Sequence, residues 1–170
     1  MQDRPVITFR TASEDDIPVI QDLSSRIWRE HYPGIITHEQ INYMLERMYA
    51  ADVIRDEIAN QGFQYVLVVE NSEPIGFIAY VNEPARQAVK ISKLYVFPSR
   101  HGKGIGRKAL LYVQEDAVRQ GTKILYLFVN KNNRKAIAAY ERFGFKKAEA
   151  VVTDIGGGFV MDDYRMEMTL

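Results

Sequence analysis

The segment FPSRHGKGIGRKALL, residues 97–111, places three glycines between a strand-like run and the start of a helix. Inside regular structure each glycine costs about 0.5–1 kcal/mol relative to alanine, so three within five residues indicate a loop that needs their conformational freedom. A helix that begins there presents unpaired backbone N–H groups and the positive end of its dipole, and phosphate oxygens bind such ends. The spacing alone leaves a glycine-rich turn without a ligand as an open alternative.

Two better-known phosphate loops do not fit this spacing. A Walker loop, GxxxxGK[ST], needs a second glycine five residues after the first, and Arg107 stands there relative to Gly102. A dinucleotide fingerprint, GxGxxG, needs a glycine three residues after Gly104, and Arg107 again stands there. The next strand also ends in NKNN, residues 130–133, without an acidic residue for a ribose. Both nucleotide loops are therefore excluded.

Hydrophobic periodicity and turn residues predict an α/β domain with a mixed sheet, and no repeat or linker divides residues 1–170. Hairpins require antiparallel pairing, whereas the strand–helix–strand passage through 89–129 favours a parallel pair. The run 123–129 is almost continuously apolar, which is typical of a central strand buried on both faces. The predicted strands are 6–10, 63–70, 74–81, 89–97, 123–129, 145–154 and 158–168, and the predicted helices are 15–30, 41–48, 53–60, 104–119 and 133–143.

Composition narrows the function classes. Lysine plus arginine and aspartate plus glutamate number 22 each, so no overall basic field favours nucleic acid. The absence of cysteine excludes a disulfide framework, a thiolate nucleophile and a cysteine-ligated metal. The first ten residues lack the apolar run of a secretory signal, and no stretch is long enough to span a bilayer. We expect a cytoplasmic protein without nucleic-acid, membrane or metal partners.

The motifs LYVFPSRHGKGIGRKALL (94–111) and NKNNRKAIAAYERFGF (130–145) together resemble the GNAT superfamily of acetyl-CoA-dependent N-acetyltransferases. That family carries [QR]-x-x-G-x-[GA] after a strand, and here His101 stands in the first position. An N…A…Y…GF helix follows one strand later. The resemblance covers nearly the whole chain and implies a single GNAT-like domain, in which helices flank a twisted, mixed and mostly antiparallel sheet. In the second motif the matching residues are Asn133, Ala136, Tyr140, Gly144 and Phe145.

The resemblance implies a binding site for acetyl-CoA as co-substrate. The strand end Leu94-Tyr95-Val96 would pair with the amide groups of the pantetheine arm, and Asn133 would bond the same arm. Tyr140 would protonate the departing thiolate. Backbone amides of the glycine loop would hold the pyrophosphate, and the loop residues concerned are His101, Gly102, Lys103, Gly104, Ile105, Gly106 and Arg107.

Helical spacing independently places Asn133, Ala136, Ile137 and Tyr140 on one helix face, so that one extended ligand can touch them all. Without the motif, Tyr140 would be interpreted as a core aromatic residue.

His101 departs from the family pattern. The loop works mainly through backbone amides, so this side chain need not abolish binding. A phosphate neighbour, a surface residue and a weakly pH-sensitive contact all remain open for it. Arg100, Lys103 and Arg107 supply positive charge nearby.

The general base is not evident from the sequence. An amine with a pKa of about 10.4 is neutral in roughly one molecule in a few thousand at pH 7, so a base or a water chain is expected. Many relatives carry a glutamate where this chain has Lys90, which cannot serve as a carboxylate base. The candidates are Glu70, Glu83 and the pair Asp162-Asp163.

The acceptor side carries a weaker resemblance, to bacterial polyamine (spermidine/spermine) acetyltransferases, through GGGFVMDDYRMEM and the Trp28…Tyr32-Pro33 segment. Aromatic and carboxylate side chains suit a cationic substrate, which makes Trp28, Tyr32, Asp162 and Asp163 candidates for binding it. The alternative is that the two aspartates cap a turn and Trp28 packs in the core.

The two motifs and the absence of cysteine predict direct attack of a primary amine in a ternary complex, since a covalent route would need another nucleophile. The acceptor is a small amine, or a peptide if the chain acetylates protein N-termini. A catalytically silent acyl-CoA-binding regulatory module is the alternative of another class. By family analogy, a homodimer is plausible.

Overall fold

The chain folds around one seven-stranded sheet, and the computed structural model describes residues 4–170. The elements follow the predicted order, and the predicted α/β fold class is confirmed. Residues 1–3, part of the stretch interpreted as lacking a targeting signal, lie outside the described residues. The strands are β1 (Ile7–Thr11), β2 (Gln64–Glu70), β3 (Glu73–Glu83), β4 (Ala88–Val96), β5 (Ile124–Asn130), β6 (Lys146–Gly156) and β7 (Phe159–Thr169). The helices are α1 (Ile17–His31), α2 (His38–Met48), α3 (Ala51–Ala59), α4 (Ile105–Arg119) and α5 (Arg134–Phe143).

Side-chain caps begin several of the helices. Ser13 and Asp16 form a capping box just before α1. The Thr37 side chain accepts a hydrogen bond from the Gln40 N–H, so α2 begins at His38 rather than at the predicted residue 41. The predicted third helix begins two residues early, at Ala51.

The sheet has the strand order β1-β2-β3-β4-β5-β7-β6. Only the β4–β5 pair is parallel, and the other neighbouring pairs are antiparallel, as the hairpins and the single crossover require. Helices α1, α2 and α3 cover one face of the sheet, where Ile20, Trp28 and Phe77 are buried. Helices α4 and α5 cover the other face, where Val113, Leu125 and Ile137 are buried.

Strands β4 and β5 separate halfway along their length. They pair only from Ala88 opposite Ile124 to Ile91 opposite Leu127, although both strands continue. At the same point Ser92 is an extra residue in β4 relative to β3, and such a bulge bends a strand and increases its twist. The expectation that β5 is buried on both faces is wrong at Phe128, which is 38% exposed.

A buried ion pair ties β4 to α3. The Lys93 ammonium lies 3.0 Å from a Glu57 oxygen, and the two side chains are 2% and 14% exposed. The Tyr65 hydroxyl also donates to Glu57. The rings of Tyr49, Phe63 and Tyr65 surround the ammonium at 5.4–5.7 Å. Burial lowers the pKa of Lys93, and the Glu57 carboxylate opposes that shift.

We predict that Glu57→Gln lowers the free energy of unfolding by about 3–5 kcal/mol, because it leaves a buried ammonium without its counter-charge. Combining it with Lys93→Met should recover most of the loss, since no unpaired charge then remains. Urea unfolding followed by Trp28 fluorescence measures both. The same exchange at Glu141, whose pair with Lys147 is half exposed, should cost less than about 1 kcal/mol. An unrecovered loss in the double variant would contradict the explanation.

Candidate active site

The separation of β4 from β5 opens a gap lined by backbone groups. On its other edge, β4 stays paired with β3 as far as Val96 opposite Gly76. Residues 92–96 of β4 therefore present backbone polar groups towards β5 that no strand bonds. The predicted pantetheine strand, Leu94 to Val96, forms this edge of the gap. Tyr95 packs on the α1 face of the sheet, and Leu94 and Val96 pack on the α4 face.

The glycine loop follows directly from β4 into α4. Gly102 and Gly104 have φ of +75° and +77°, the left-handed region that glycine tolerates without strain. Within residues 4–170, the backbone N–H groups of residues 102–107 donate to no protein acceptor, whereas the Lys108 N–H donates to Gly104. A methyl group built at Gly102, Gly104 or Gly106 would meet no atom within 4 Å. The loop thus offers an open row of unpaired amides, which suits an anionic group such as a pyrophosphate.

The basic side chains around the loop differ in the protein groups that they contact. The Arg100 Nε lies 2.6 Å from a Glu70 oxygen, and this ion pair offsets the charge we expected Arg100 to contribute. The Arg107 guanidinium lies over the Phe143 ring at 5.7 Å, next to the start of α4. The Lys103 side chain is on the exposed part of the loop.

His101 is more than a surface residue. Its Nε2 lies 2.9 Å from the carbonyl oxygen of Val96, so the ring donates to the strand end that borders the gap. The interaction links the glycine loop back to β4. A side chain in the position usually held by Arg or Gln here stabilises the loop conformation, which is compatible with ligand binding through the backbone.

Asn133 caps α5 and is oriented by a residue that the sequence did not indicate. Its Oδ1 accepts from the Ala136 N–H at 3.3 Å, which directs its Nδ2 towards His31 Nε2 at 3.2 Å. His31 Nε2 is therefore the acceptor, and the His31 ring is neutral in this contact. Burial lowers the pKa of His31, and the charge effects of His101 and Lys135 lower it further. No local signal in the sequence could have paired two residues 102 positions apart.

Tyr140 lies on the same face of α5, one turn beyond Ala136. Its ring packs edge-on against Phe145 at 5.8 Å, as a core aromatic would. Burial raises the pKa of Tyr140 to about 12, so its hydroxyl stays protonated at neutral pH. Its phenol is close enough to Tyr32 and Tyr95 to raise the pKa of each, an addition to the larger effect of their burial. Phenols from the two faces of the sheet therefore approach each other at the gap.

An aromatic cluster closes the gap on the α1 face. It consists of Trp28, Tyr32, Tyr49 and Tyr95, with the Trp28 ring 4.5–5.7 Å from the other three. The hydroxyls of Tyr32 and Tyr95 lie 3.4 Å apart. Trp28 is 2% exposed, as in the core interpretation, and contact between Trp28 and an acceptor stays a prediction. Trp28 Nε1 and the Tyr49 hydroxyl are buried without hydrogen-bond partners in the described chain, a costly arrangement beneath the gap.

The candidate carboxylates differ in exposure and in whether a protein group already binds them. Glu70 pairs with Arg100, and Glu83 accepts from the Tyr126 hydroxyl at 2.7 Å. Asp162 and Asp163 are neighbours on β7 and so point to opposite faces of the sheet. Asp162 is half exposed and lies 2.5 Å from the Lys131 ammonium.

Asp163 is only 5% exposed, and its carboxylate has no hydrogen-bond or ion-pair partner within residues 4–170. Burial, with a smaller effect of the Asp162 charge, raises its pKa to about 6, and Lys131 opposes the shift. Asp163 pairs in register with Asn130, the last residue of β5, and its charge reaches Tyr32. Lys90, which stands where many GNAT enzymes have a glutamate, lies over the Phe128 ring.

Two further properties hold for residues 4–170. No helix there has both the length and the apolarity required to cross a membrane. The same residues contain no group of three or more His, Cys, Asp or Glu arranged to hold a metal ion.

The sheet is split at its parallel pair, and a loop with an open row of backbone amides lies at one end of the split. The model of the Acetyltransferase (GNAT) family matches residues 20–145, so the chain belongs to this family. The resemblance is confirmed, and with it the predicted enzyme class, an N-acetyltransferase.

Two N-acetyltransferases are similar to this chain over most of its length. An uncharacterized N-acetyltransferase of Methanocaldococcus jannaschii is 34% identical over 150 residues, which cover 85% of this chain and 62% of that protein. The chain thus spans less than two thirds of that relative's length. A spermidine N(1)-acetyltransferase of Thermoplasma acidophilum is 25% identical over 160 residues, covering 92% of this chain and 96% of the relative.

Solved structures agree on the fold. The PaiA N-acetyltransferase of Thermoplasma acidophilum, in complex with coenzyme A, has a TM-score of 0.80 at 23% identity, covering 97% of this chain and 99% of that one. A spermidine N-acetyltransferase SpeG variant of Vibrio cholerae has a TM-score of 0.69 at 17% identity, covering 96% and 93%.

Proposed function

We propose that this protein transfers an acetyl group from acetyl-CoA to a primary amine of a small, cationic, polyamine-like molecule. The observation that carries the proposal is the gap between β4 and β5, with an open row of amides at one end and with the protonated Tyr140 phenol and the buried Asp163 carboxylate both close enough to act on Tyr32. The anionic donor and the cationic acceptor would enter from opposite faces of the sheet. Attack is direct, since the chain has no cysteine to carry the acetyl group.

The donor side is built from groups whose chemistry matches the parts of acetyl-CoA, which supplies the activated acetyl group when bound. The amides of residues 102–107 would bind the pyrophosphate, because their N–H groups lack protein partners and the positive end of the α4 dipole lies behind them. The edge of Leu94–Val96, with which β5 does not pair, would bond the amides of the pantetheine arm. Asn133 would reach the same arm from α5, with its amide group oriented by His31.

The acceptor side is suited to a cation. Asp163 supplies a buried negative charge near Tyr32, and the aromatic rings of Tyr32 and Tyr95, 6.4 Å apart, would supply π-faces to a cation. A short diamine or polyamine fits these features better than an uncharged amine does, because it offers one ammonium to attack and a second to be recognised. The relative from Thermoplasma acidophilum that acetylates spermidine supports this acceptor class.

Tyr140 is proposed as the proton donor to the leaving thiolate. Its pKa of about 12 keeps the phenol protonated over the working pH range. Tyr140 lies on the same side of α5 as Asn133, the residue that caps this helix. The amine nitrogen forms the new C–N bond, the C–S bond breaks, and the thiolate sulfur takes the phenolic proton.

The proposed function is tested by mixing the protein with acetyl-CoA and amines while titrating free thiol. We expect turnover with spermidine, spermine and diamines, and much less with amino sugars, amino acids and N-terminal peptides. Selective turnover of the peptides would instead identify a protein N-terminal acetyltransferase. Calorimetric binding of coenzyme A without turnover of any amine would identify a regulatory module.

Gly106→Ala tests the amide row without disturbing the fold. Gly106 is helical, with open space around its Cβ position, so alanine should leave the melting temperature unchanged or slightly higher. The added methyl group would hold a phosphate off the backbone, and losing one charge-assisted hydrogen bond should raise the Kd for coenzyme A roughly 10–100-fold. Calorimetry measures it, with Glu115→Ala, an exposed exchange on the same helix, as the control. An unchanged Kd would exclude the loop from binding.

Tyr140→Phe should lower kcat by roughly 10²–10⁴-fold, because it removes the proton donor while keeping the ring. The ring packing against Phe145 is preserved, so the Kd for coenzyme A and the melting temperature should hold. Steady-state thiol release at saturating acetyl-CoA measures the change. A rate close to wild type would leave Tyr140 with only its packing role.

A further inference from the structure

The carboxylates near the gap differ in whether the protein already neutralises them. Glu70 is bound to Arg100, Glu83 to Tyr126, and Asp162 to Lys131. A carboxylate held by a cation or a hydroxyl donor is a weaker proton acceptor, because its charged form is stabilised. Asp163 alone among these candidates is buried without such a partner in the described chain.

Asp163 also stands where the two substrates would meet. It is opposite Asn130, at the end of β5 where β4 has moved away. Its charge affects Tyr32, the same residue that the Tyr140 phenol affects from the other face of the sheet. An unpaired buried charge costs stability, so a chain that keeps one beside its reaction site gains something other than stability from it.

We propose that Asp163 is the general base that takes a proton from the acceptor ammonium, the role for which this chain lacks the usual glutamate at position 90. The inference rests on the proposed function and names a catalytic residue within it. The ammonium first binds as the partner that the buried carboxylate lacks. Proton transfer to the carboxylate then leaves a neutral amine next to the thioester carbonyl.

The protons gained and lost in this step balance. Asp163 accepts the first proton of R–NH3⁺ and returns it to solvent after the reaction. The neutral amine forms the C–N bond, and the C–S bond breaks. The departing thiolate takes a proton from Tyr140. The nitrogen then loses its second proton, and that proton returns to Tyr140. The sum is R–NH3⁺ plus acetyl-CoA giving R–NH-acetyl, coenzyme A thiol and one proton.

The groups that face Asp163 make it suited to this role near neutral pH. Asp162 on its own strand and the buried environment favour the protonated form, and Lys131 from the loop after β5 opposes them. Tyr32 from the end of α1 remains neutral, because burial raises its pKa. With a pKa of about 6, Asp163 is mostly ionised at pH 7 and still basic enough to share the proton of a bound ammonium.

The test is the pH dependence of kcat/KM for spermidine in wild type and in Asp163→Asn. Wild type should lose activity below about pH 6, as the carboxylate becomes protonated. Asp163→Asn should be slower by roughly 10²–10⁴-fold at pH 7 and recover about tenfold per pH unit towards pH 10, since it depends on the small neutral fraction of the amine. The matched exchange Glu167→Gln, further along β7, should retain the wild-type rate and profile.

Three results would overturn the role of Asp163. The first is a wild-type-like pH profile in Asp163→Asn. The second is a rise in the KM of Asp163→Asn without recovery at alkaline pH, which is the behaviour of a simple ammonium anchor. The third is an Asp163 carboxyl that titrates near pH 4 in ¹³C NMR of the wild-type protein. The NMR titration does not depend on turnover or on the folding of a variant. Removing an unpaired buried charge should leave the melting temperature of Asp163→Asn at or above that of wild type at pH 7.5. Absence of thiol release by wild type with every amine would contradict the proposed function itself.

Discussion

The active-site architecture depends on one interruption of backbone pairing, the loss of the β4–β5 ladder after Ile91. In the described sheet the other neighbouring strands stay paired along most of their length apart from local bulges, whereas the central strands β4 and β5 leave backbone polar groups unpaired beyond Ile91 and Leu127. The bulge at Ser92 coincides with the split and accounts for it physically, because a bulge bends β4 while its other edge remains bonded to β3. The glycine loop and α4 follow the end of β4, and the Asn133 cap of α5 follows the end of β5.

Two histidines form hydrogen bonds near the ends of β4 and β5. His101 bonds the last carbonyl of β4, and His31 accepts from the side-chain amide of Asn133. Their rings lie 5.8 Å apart, so the ends of α1, β4 and α5 are connected through a small polar cluster at one mouth of the gap. The proximity of His101 lowers the pKa of His31, an addition to the larger effect of burial.

The sequence predicted what local patterns determine and missed what tertiary contacts determine. Periodicity, turn residues and the two GNAT motifs were sufficient for the element order, the mixed sheet and the enzyme class, whereas residue roles in the site remain predictions. His31 was missed because its contact with Asn133 spans 102 positions. The adjacent Asp162 and Asp163 were inseparable by sequence, since only strand register decides which one points to solvent. Phe128 was wrongly expected to be buried because an apolar run does not reveal where pairing stops.

Two buried charges on opposite sides of the split show how structural and reactive groups differ in the same fold. Lys93 on β4 is enclosed by three rings and bonded to Glu57, so its charge is compensated and its contribution is to hold α3 against the sheet. Asp163 on β7 is also buried but has no such partner in the described chain, and burial raises its pKa. Because a missing counter-charge must come from outside, the uncompensated group is the one that a cationic substrate can complete.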